Sequence, residues 1–391
     1  MYRTLVALMV VLAAGPAVAG VAVADGGTAQ LDDEVDCEFP VSAEDATGQT
    51  VTVEEEPESV VVTAPSAAQH LWSIGAQEKV VGMPVNQFTA YLDGHDEREN
   101  ILGEDGATPD VEQIVALEPD LVIVPNVNDE ALVDNLRDAG LTVYYYPLVN
   151  DLDSMYELVE TVGLLVGQYE DAAAVTAEVA AQVDAVEEAV AEEENPRVYY
   201  EFFGFTVGPE TLEHDLITRA GGNNIATTGD RATYFELSQE IVAEQDPEWL
   251  ILQEGNPIPD SEAVQESTAI EQDQIVRVDS NLVSQHGPRN VEPLVRMAEA
   301  FHPEAMADID LDAVEPADAS QCAADSDDDT ADGADDTTDD TADGTDDTTD
   351  DTADGTDDTA TAEADDDGVG FTAGAALVAV LTLALVARRQ H

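Results

Sequence analysis

Lysine is almost absent: Lys79 is the only one in 391 residues, and 12 basic side chains in all stand against 86 acidic ones, a formal net charge of -74. Neutralising a phosphate backbone takes clustered Lys and Arg, so nucleic acid is excluded as a partner. Cysteine is scarce too. Cys37 and Cys322 are the only two, too few for a disulfide-stapled scaffold and spaced unlike any metal-binding motif. His70, His95, His214, His286 and His302 are isolated from one another, whereas a free zinc or manganese site needs about three converging ligands. No Ser/His/Asp spacing and no thiol motif points to catalysis, so a non-enzyme is expected.

Acid, by contrast, is everywhere. Asp and Glu crowd the whole chain, and uniform acidity with little lysine is the solubility pattern of proteins working in multimolar salt, where surface charge is heavily screened. From Asp325 to Asp367 a unit of the form DDTADGTDDTT repeats, with no apolar residue larger than alanine. Such a stretch cannot bury a core and reads as an extended, self-repelling stalk over residues 323–367.

Both ends read as processing or anchoring segments. Arg3 precedes an apolar run from Leu5 to Val23, and Ala22-Val23-Ala24 fits a signal-peptidase site, so residues 1–24 are expected to be a signal peptide. Residues 368–391 hold the apolar run Phe371 to Ala387 followed by Arg388 and Arg389, a span with its arginines on the cytoplasmic side. Gly368-Val369-Gly370-Phe371 with this run resembles the archaeal sorting signal that begins Pro-Gly-Phe, where the tail is exchanged for a lipid. Val369 stands in the place of the proline, which leaves a lipid anchor and a retained helix both open. The expected location is the outer face of the membrane.

Between the ends the chain divides in two. Tyr169 to Glu194 is rich in Ala, Glu and Val without Gly or Pro and predicts one long helix, stopped by Asn195-Pro196. The flanks, residues 57–168 and 196–322, repeat each other. Glu112-Gln113-Ile114 leads into Glu118-Pro119-Asp120 and an apolar run. Glu240-Ile241-Val242 leads, at a constant offset of 128, into Asp246-Pro247-Glu248 and another. A short helix, a proline turn and a buried parallel strand thus recur in two lobes. The expected fold is α/β: two Rossmann-like lobes joined by the helix 169–195, a ligand cleft between them and limited hinge motion. Ahead of the first lobe, residues 25–56 hold a predicted hairpin turning at Gly48. Cys37 and Cys322 bracket this core, either paired or as two free thiols.

The set Asp45-Ala46-x-Gly48, Pro57, Val60 to Pro65, Gly75-Ala76, Val80-Val81-Gly82, Pro119 to Val122, Gly221 to Ile225 and Gly287-Pro288-Arg289 resembles helical-backbone binding proteins for metal chelates. In motif order it is most similar to their cobalamin-binding branch. The resemblance implies an external receptor that hands a corrinoid to an ABC permease dimer with its ATPase subunits, with no cofactor of its own. Aromatic surface suits a bulky, largely uncharged macrocycle. Phe88 and Tyr91 in the first lobe, and Phe202, Phe203, Phe205 and Tyr234 in the second, are the candidates in a chain with only 5% aromatics.

Tyr234 stands six residues ahead of Glu240, where the branch places a cleft tryptophan. At the matching place ahead of Glu112 stands Gly106. The resemblance further implies Asn281 and Gln285 as hydrogen-bonding partners of the cargo, Arg289 as a contact or a brace, and Glu112 and Glu240 as the carboxylates that meet permease arginines.

Ferric siderophores and haem are the alternative cargoes. Anionic ferric catecholates need clustered cations, which eight scattered core arginines do not provide. Haem would want Tyr91 or His286 as an axial ligand. A passive acidic surface protein is the alternative of another class, and the chelatase and nitrogenase-type enzymes of similar architecture are cytoplasmic.

Overall fold

The computed structural model describes residues 34–227 and 231–323. The expected signal peptide, nearly all of the acidic stalk and the C-terminal segment lie outside these residues. Among the described residues, no helix is long and apolar enough to cross a membrane.

The first lobe is a five-stranded parallel sheet in the order Glu99–Asn100, Val80–Met83, Val60–Val62, Leu121–Pro125, Val143–Tyr146. Its two central strands are buried at every residue, which is why they read as unbroken apolar runs rather than alternating ones. The second lobe repeats the plan with four parallel strands, Asn223–Asn224, Arg197–Glu201, Trp249–Gln253 and Ile275–Val278. In each lobe the first strand along the chain is central and the order reverses beside it. Crevices at the carboxyl ends of strands on either side of such a switch are where open α/β sheets bind ligands.

The repeat is visible at the level of single backbone bonds. Glu118 and Asp246 both adopt left-handed backbone, at φ 47° and 43°, turning the chain from helix into strand. One residue past the proline, Asp120 accepts the backbone N–H of Ser59 at 2.9 Å and Glu248 accepts that of Arg197 at 2.9 Å. Each carboxylate thereby pins the start of its strand to the start of the neighbouring one.

The long connecting helix packs against the helix before it. Leu152–Leu165 turns at Gly167 into Tyr169–Val190. Gly163 faces Ala172 so closely that a Cβ on it would overlap the alanine methyl. The long helix ends at Val190, four residues short of the expected Glu194, because the acidic run before Asn195-Pro196 has nothing to pack on. Val60, Val62 and Ile123 of the first sheet, Val198, Tyr200 and Ile251 of the second, and Val183 and Val186 of the helix belong to one continuous core. Two smaller cores cover the outer sheet faces.

Outside the lobes, Val41–Glu44 pairs antiparallel with Thr50–Val53 around Gly48, at φ 77°. Asp45 of this hairpin is tied to Arg137 by an ion pair. Cys37 and Cys322 form a disulfide across a sequence separation of 285. The flanking strands Glu34–Val35 and Gln321–Cys322 run parallel, so both ends of the core are sewn at one place.

Candidate functional site

A cavity of about 290 Å³ opens between the lobes where the strands of both sheets end. Thr63 and Ala64, Pro84, Pro125 and Asn126, and Tyr146 and Pro147 follow or end strands of the first lobe. Gln253 and Ser280 do the same for the second. Most of the remaining wall comes from the loops behind them. In a chain with 25% charged residues, the described lining residues include no Asp, Glu, Lys or Arg. They do include six amide side chains, Asn86, Asn126, Asn128, Gln253, Asn281 and Gln285.

Of the residues singled out from the sequence, Phe88, Tyr234, Asn281 and Gln285 line this cavity, as does Gly106. Tyr91, Phe202, Phe203, Phe205 and Arg289 stand outside the lining. Tyr91 lies one layer behind it: its hydroxyl donates to Gln285 Oε1 at 2.7 Å, and Arg289 sits over its ring at 5.2 Å while pairing with Glu292 at 2.8 Å. Burial pushes the Tyr91 phenol up. Arg289 therefore braces the Tyr91 loop in this structure.

The aromatic cluster of the second lobe is built by a two-residue turn. Phe202 and Phe205 exchange both backbone hydrogen bonds at 2.9 Å across Phe203 and Gly204, whose φ values are 50° and 91°. Positive φ at both central residues is the type I′ hairpin geometry. Glu201 steadies the turn by accepting the Gly204 N–H at 2.6 Å. The turn buries Phe202 and throws Phe203 outward at 48% exposure. Phe205 is half-buried against the core. Phe202 meets Tyr200 and Tyr234 edge-on at 5.7 and 5.8 Å, so it supports the cleft tyrosine from behind.

Tyr234 itself donates to Glu213 Oε2 at 3.0 Å. Burial first, and then the Glu213 charge, raise its hydroxyl well above the usual tyrosine range. On the other side of Glu213, His286 Nε2 lies at 3.8 Å. His286 also lines the cavity, whereas Tyr91, the other axial ligand considered for haem, does not.

Several wall residues were not anticipated. Tyr146 ends its strand stacked on His70 at 5.8 Å with its hydroxyl on Ser66. The only sequence signal for it is the aromatic run Tyr144-Tyr145-Tyr146 at a strand end. Gln253 donates to Tyr200 and Ser284, and nothing local marks it.

Beneath the cavity the lobes touch through polar groups. His70 Nε2 meets the carbonyl of His286 at 2.8 Å. Gly287 comes so close that a Cβ there would overlap Gln69 Oε1 and come within 2.9 Å of the His70 ring. Glycine in Gly287-Pro288-Arg289 is thus required by the approach of the lobes, its backbone being extended.

Glu112 and Glu240 are exposed on the second residue of their helices, Val111–Ala116 and Gln239–Gln245. Asp110 and Ser238 cap these helices by accepting backbone N–H groups. With the caps supplied by other side chains, the two glutamates are left free of that duty.

The periplasmic binding protein family profile matches residues 60–282, the stretch holding both sheets. The chain belongs to this family. It is 38% identical over 279 residues to a cobalamin-binding protein of Halobacterium salinarum, covering 68% of this chain and 75% of the relative. It is 24% identical over 279 residues to an uncharacterized ABC transporter substrate-binding lipoprotein of Bacillus subtilis, covering 68% and 87%. Among solved structures, the nickel–histidine complex of Helicobacter pylori CeuE superposes with a TM-score of 0.60 at 18% identity, covering 70% of this chain and 92% of the other. That likeness concerns the fold.

Proposed function

We propose that the protein is the external receptor of an ABC importer and that its cargo is a corrinoid. The observation that carries this reading is the wall of the cleft: aromatic and apolar surface with six amides and no formally charged group. A corrinoid is a large macrocycle fringed by amide side chains, and amides both donate to and accept from amides. An anionic catecholate would meet no cation there, and a free divalent cation no carboxylate. The relative in Halobacterium salinarum, named for cobalamin binding, supports the same cargo.

In this reading Phe88 and Tyr234 supply contact area from opposite lobes, and Asn281 with the other amides fixes orientation. Glu112 and Glu240 meet arginines of the two permease subunits. The signal segment directs export, and the C-terminal anchor holds the receptor on the outer face of the membrane. The full-length protein, purified in molar salt, is incubated separately with cyanocobalamin, haem and a ferric hydroxamate and then desalted. Retained corrinoid colour is expected; retention of haem or hydroxamate without corrinoid overturns the cargo.

A further inference from the structure

The cavity is small for its proposed cargo. Pockets for drug-sized ligands run from about 300 to 1,000 Å³, and a corrinoid belongs at the top of that range, against about 290 Å³ here. One side chain bridges the cleft. Gln285 of the second lobe donates from Nε2 to the carbonyl of Phe88 in the first lobe at 2.8 Å and accepts the Tyr91 hydroxyl on Oε1 at 2.7 Å. Gln69 then donates to the Tyr91 oxygen at 3.1 Å. Phe88 and Gln285 both line the cavity, so this link between the lobes lies at the wall the cargo would meet.

We infer that Gln285 is a strap that holds the cargo-free cleft shut and sets the size of ligand admitted. This rests on the corrinoid reading for the identity of the cargo, though not for the strap itself. Both atoms of the Gln285 amide are engaged: Nε2 donates to the Phe88 carbonyl at 2.8 Å and to Asn281 Oδ1 at 3.4 Å, and Oε1 accepts from Tyr91 at 2.7 Å. A cargo carbonyl reaches Nε2 only by displacing one of its two acceptors. Opening at this point breaks the two side-chain bonds of Gln285 to the first lobe, while Gln69 on the Gln285 carbonyl at 3.5 Å and His70 on the His286 carbonyl at 2.8 Å act as the pivot beneath. A receptor whose open form is a minor population binds with an affinity reduced by that fraction. Smaller ligands that fit under the strap escape this penalty, which is how the strap selects.

Two readouts test this on the full chain. In the first, spin labels at Asp134→Cys and Glu271→Cys, exposed in the first and second lobes, report the inter-lobe distance without cargo. Gln285→Ala is expected to lengthen or broaden the distribution, and Tyr91→Phe, which removes one of the two bonds, to do so partially. An unchanged distribution in Gln285→Ala overturns the strap. In the second, stopped-flow mixing with cyanocobalamin is expected to show a rate that saturates with concentration, with a plateau raised about tenfold in Gln285→Ala. An unchanged plateau contradicts the strap, whatever happens to the dissociation rate, and leaves Gln285 as a cargo contact alone. If neither protein retains any corrinoid, the cargo reading fails while the spin-label result still decides the strap.

Discussion

Gly106 and Tyr234 face one cavity from the two lobes, at matching places in the internal repeat: each stands six residues ahead of an exposed helix glutamate, Glu112 or Glu240. One wall therefore carries a ring where the other carries none. A Cβ at Gly106 would meet nothing within 4 Å, so the missing ring leaves open space. Gly106→Trp is expected to tighten corrinoid binding several-fold, about 1 kcal/mol for an added aromatic contact. Its left-handed φ of 68° should cost roughly 1–2 kcal/mol of stability. Titration and thermal melting check the two effects, and an unchanged affinity would place the macrocycle away from that wall.

Tyr234 can be dissected in two steps. Tyr234→Ala removes the ring and is expected to weaken corrinoid binding by roughly 1–3 kcal/mol. Tyr234→Phe keeps the ring and should retain most of the affinity. Equal losses in both would assign the effect to Glu213, which loses its hydroxyl partner either way.

His70 makes stability depend on pH. Burial lowers its pKa from 6.5 to about 4, so the fold holds the neutral ring, with Nε2 on the His286 carbonyl. Between pH 6.5 and about 4 the unfolded chain takes up a proton that the folded chain refuses. Stability present above pH 6.5 is therefore lost as pH falls through that window, on the order of 3 kcal/mol in all. His70→Gln keeps a donor without titrating. Its melting temperature should fall less between pH 7 and pH 4.5 than that of the natural protein, and parallel curves would remove His70 as the cause.

The repeat, the parallel lobes, the hairpin at Gly48 and the strand-end location of the aromatics were legible because each depends on local pattern: apolar runs, prolines and a fixed offset of 128. The site was legible only in part, and the reason is distance along the chain. Tyr91 and Gln285 are 194 residues apart, and no local signal announces that one closes on the other. The fates of Phe202, Phe203 and Phe205 turned on a positive φ at Phe203, which a non-glycine residue does not advertise.

The Cys37–Cys322 disulfide closes nearly the whole core into one loop. In the chain-entropy model so long a loop contributes up to roughly 5 kcal/mol. Reduction should lower the melting temperature markedly and leave corrinoid affinity nearly unchanged, since both cysteines lie outside the cleft lining. Loss of binding at temperatures where the reduced protein is still folded would contradict this.

In the proposed docking mode, two carboxylates among many select the partner. In molar salt the screening length is about 3 Å, so only direct contacts select a partner. Glu112→Arg with Glu240→Arg is expected to abolish permease binding and transport while sparing cargo affinity. Glu118→Arg with Glu244→Arg, likewise exposed, is the control. Asp246 is unsuited to that role because it caps Thr268 at 2.8 Å. Equal transport by both double variants would refute the docking assignment.

The central claim is that an uncharged, amide-rich cleft takes a corrinoid. Titrating cyanocobalamin into the full-length protein in molar salt, followed by absorbance, tests it most directly. Saturation at one corrinoid per chain, weakened about tenfold or more by Tyr234→Ala, is the predicted result. Absence of saturable corrinoid binding under conditions where haem or a ferric siderophore saturates the same protein would contradict it.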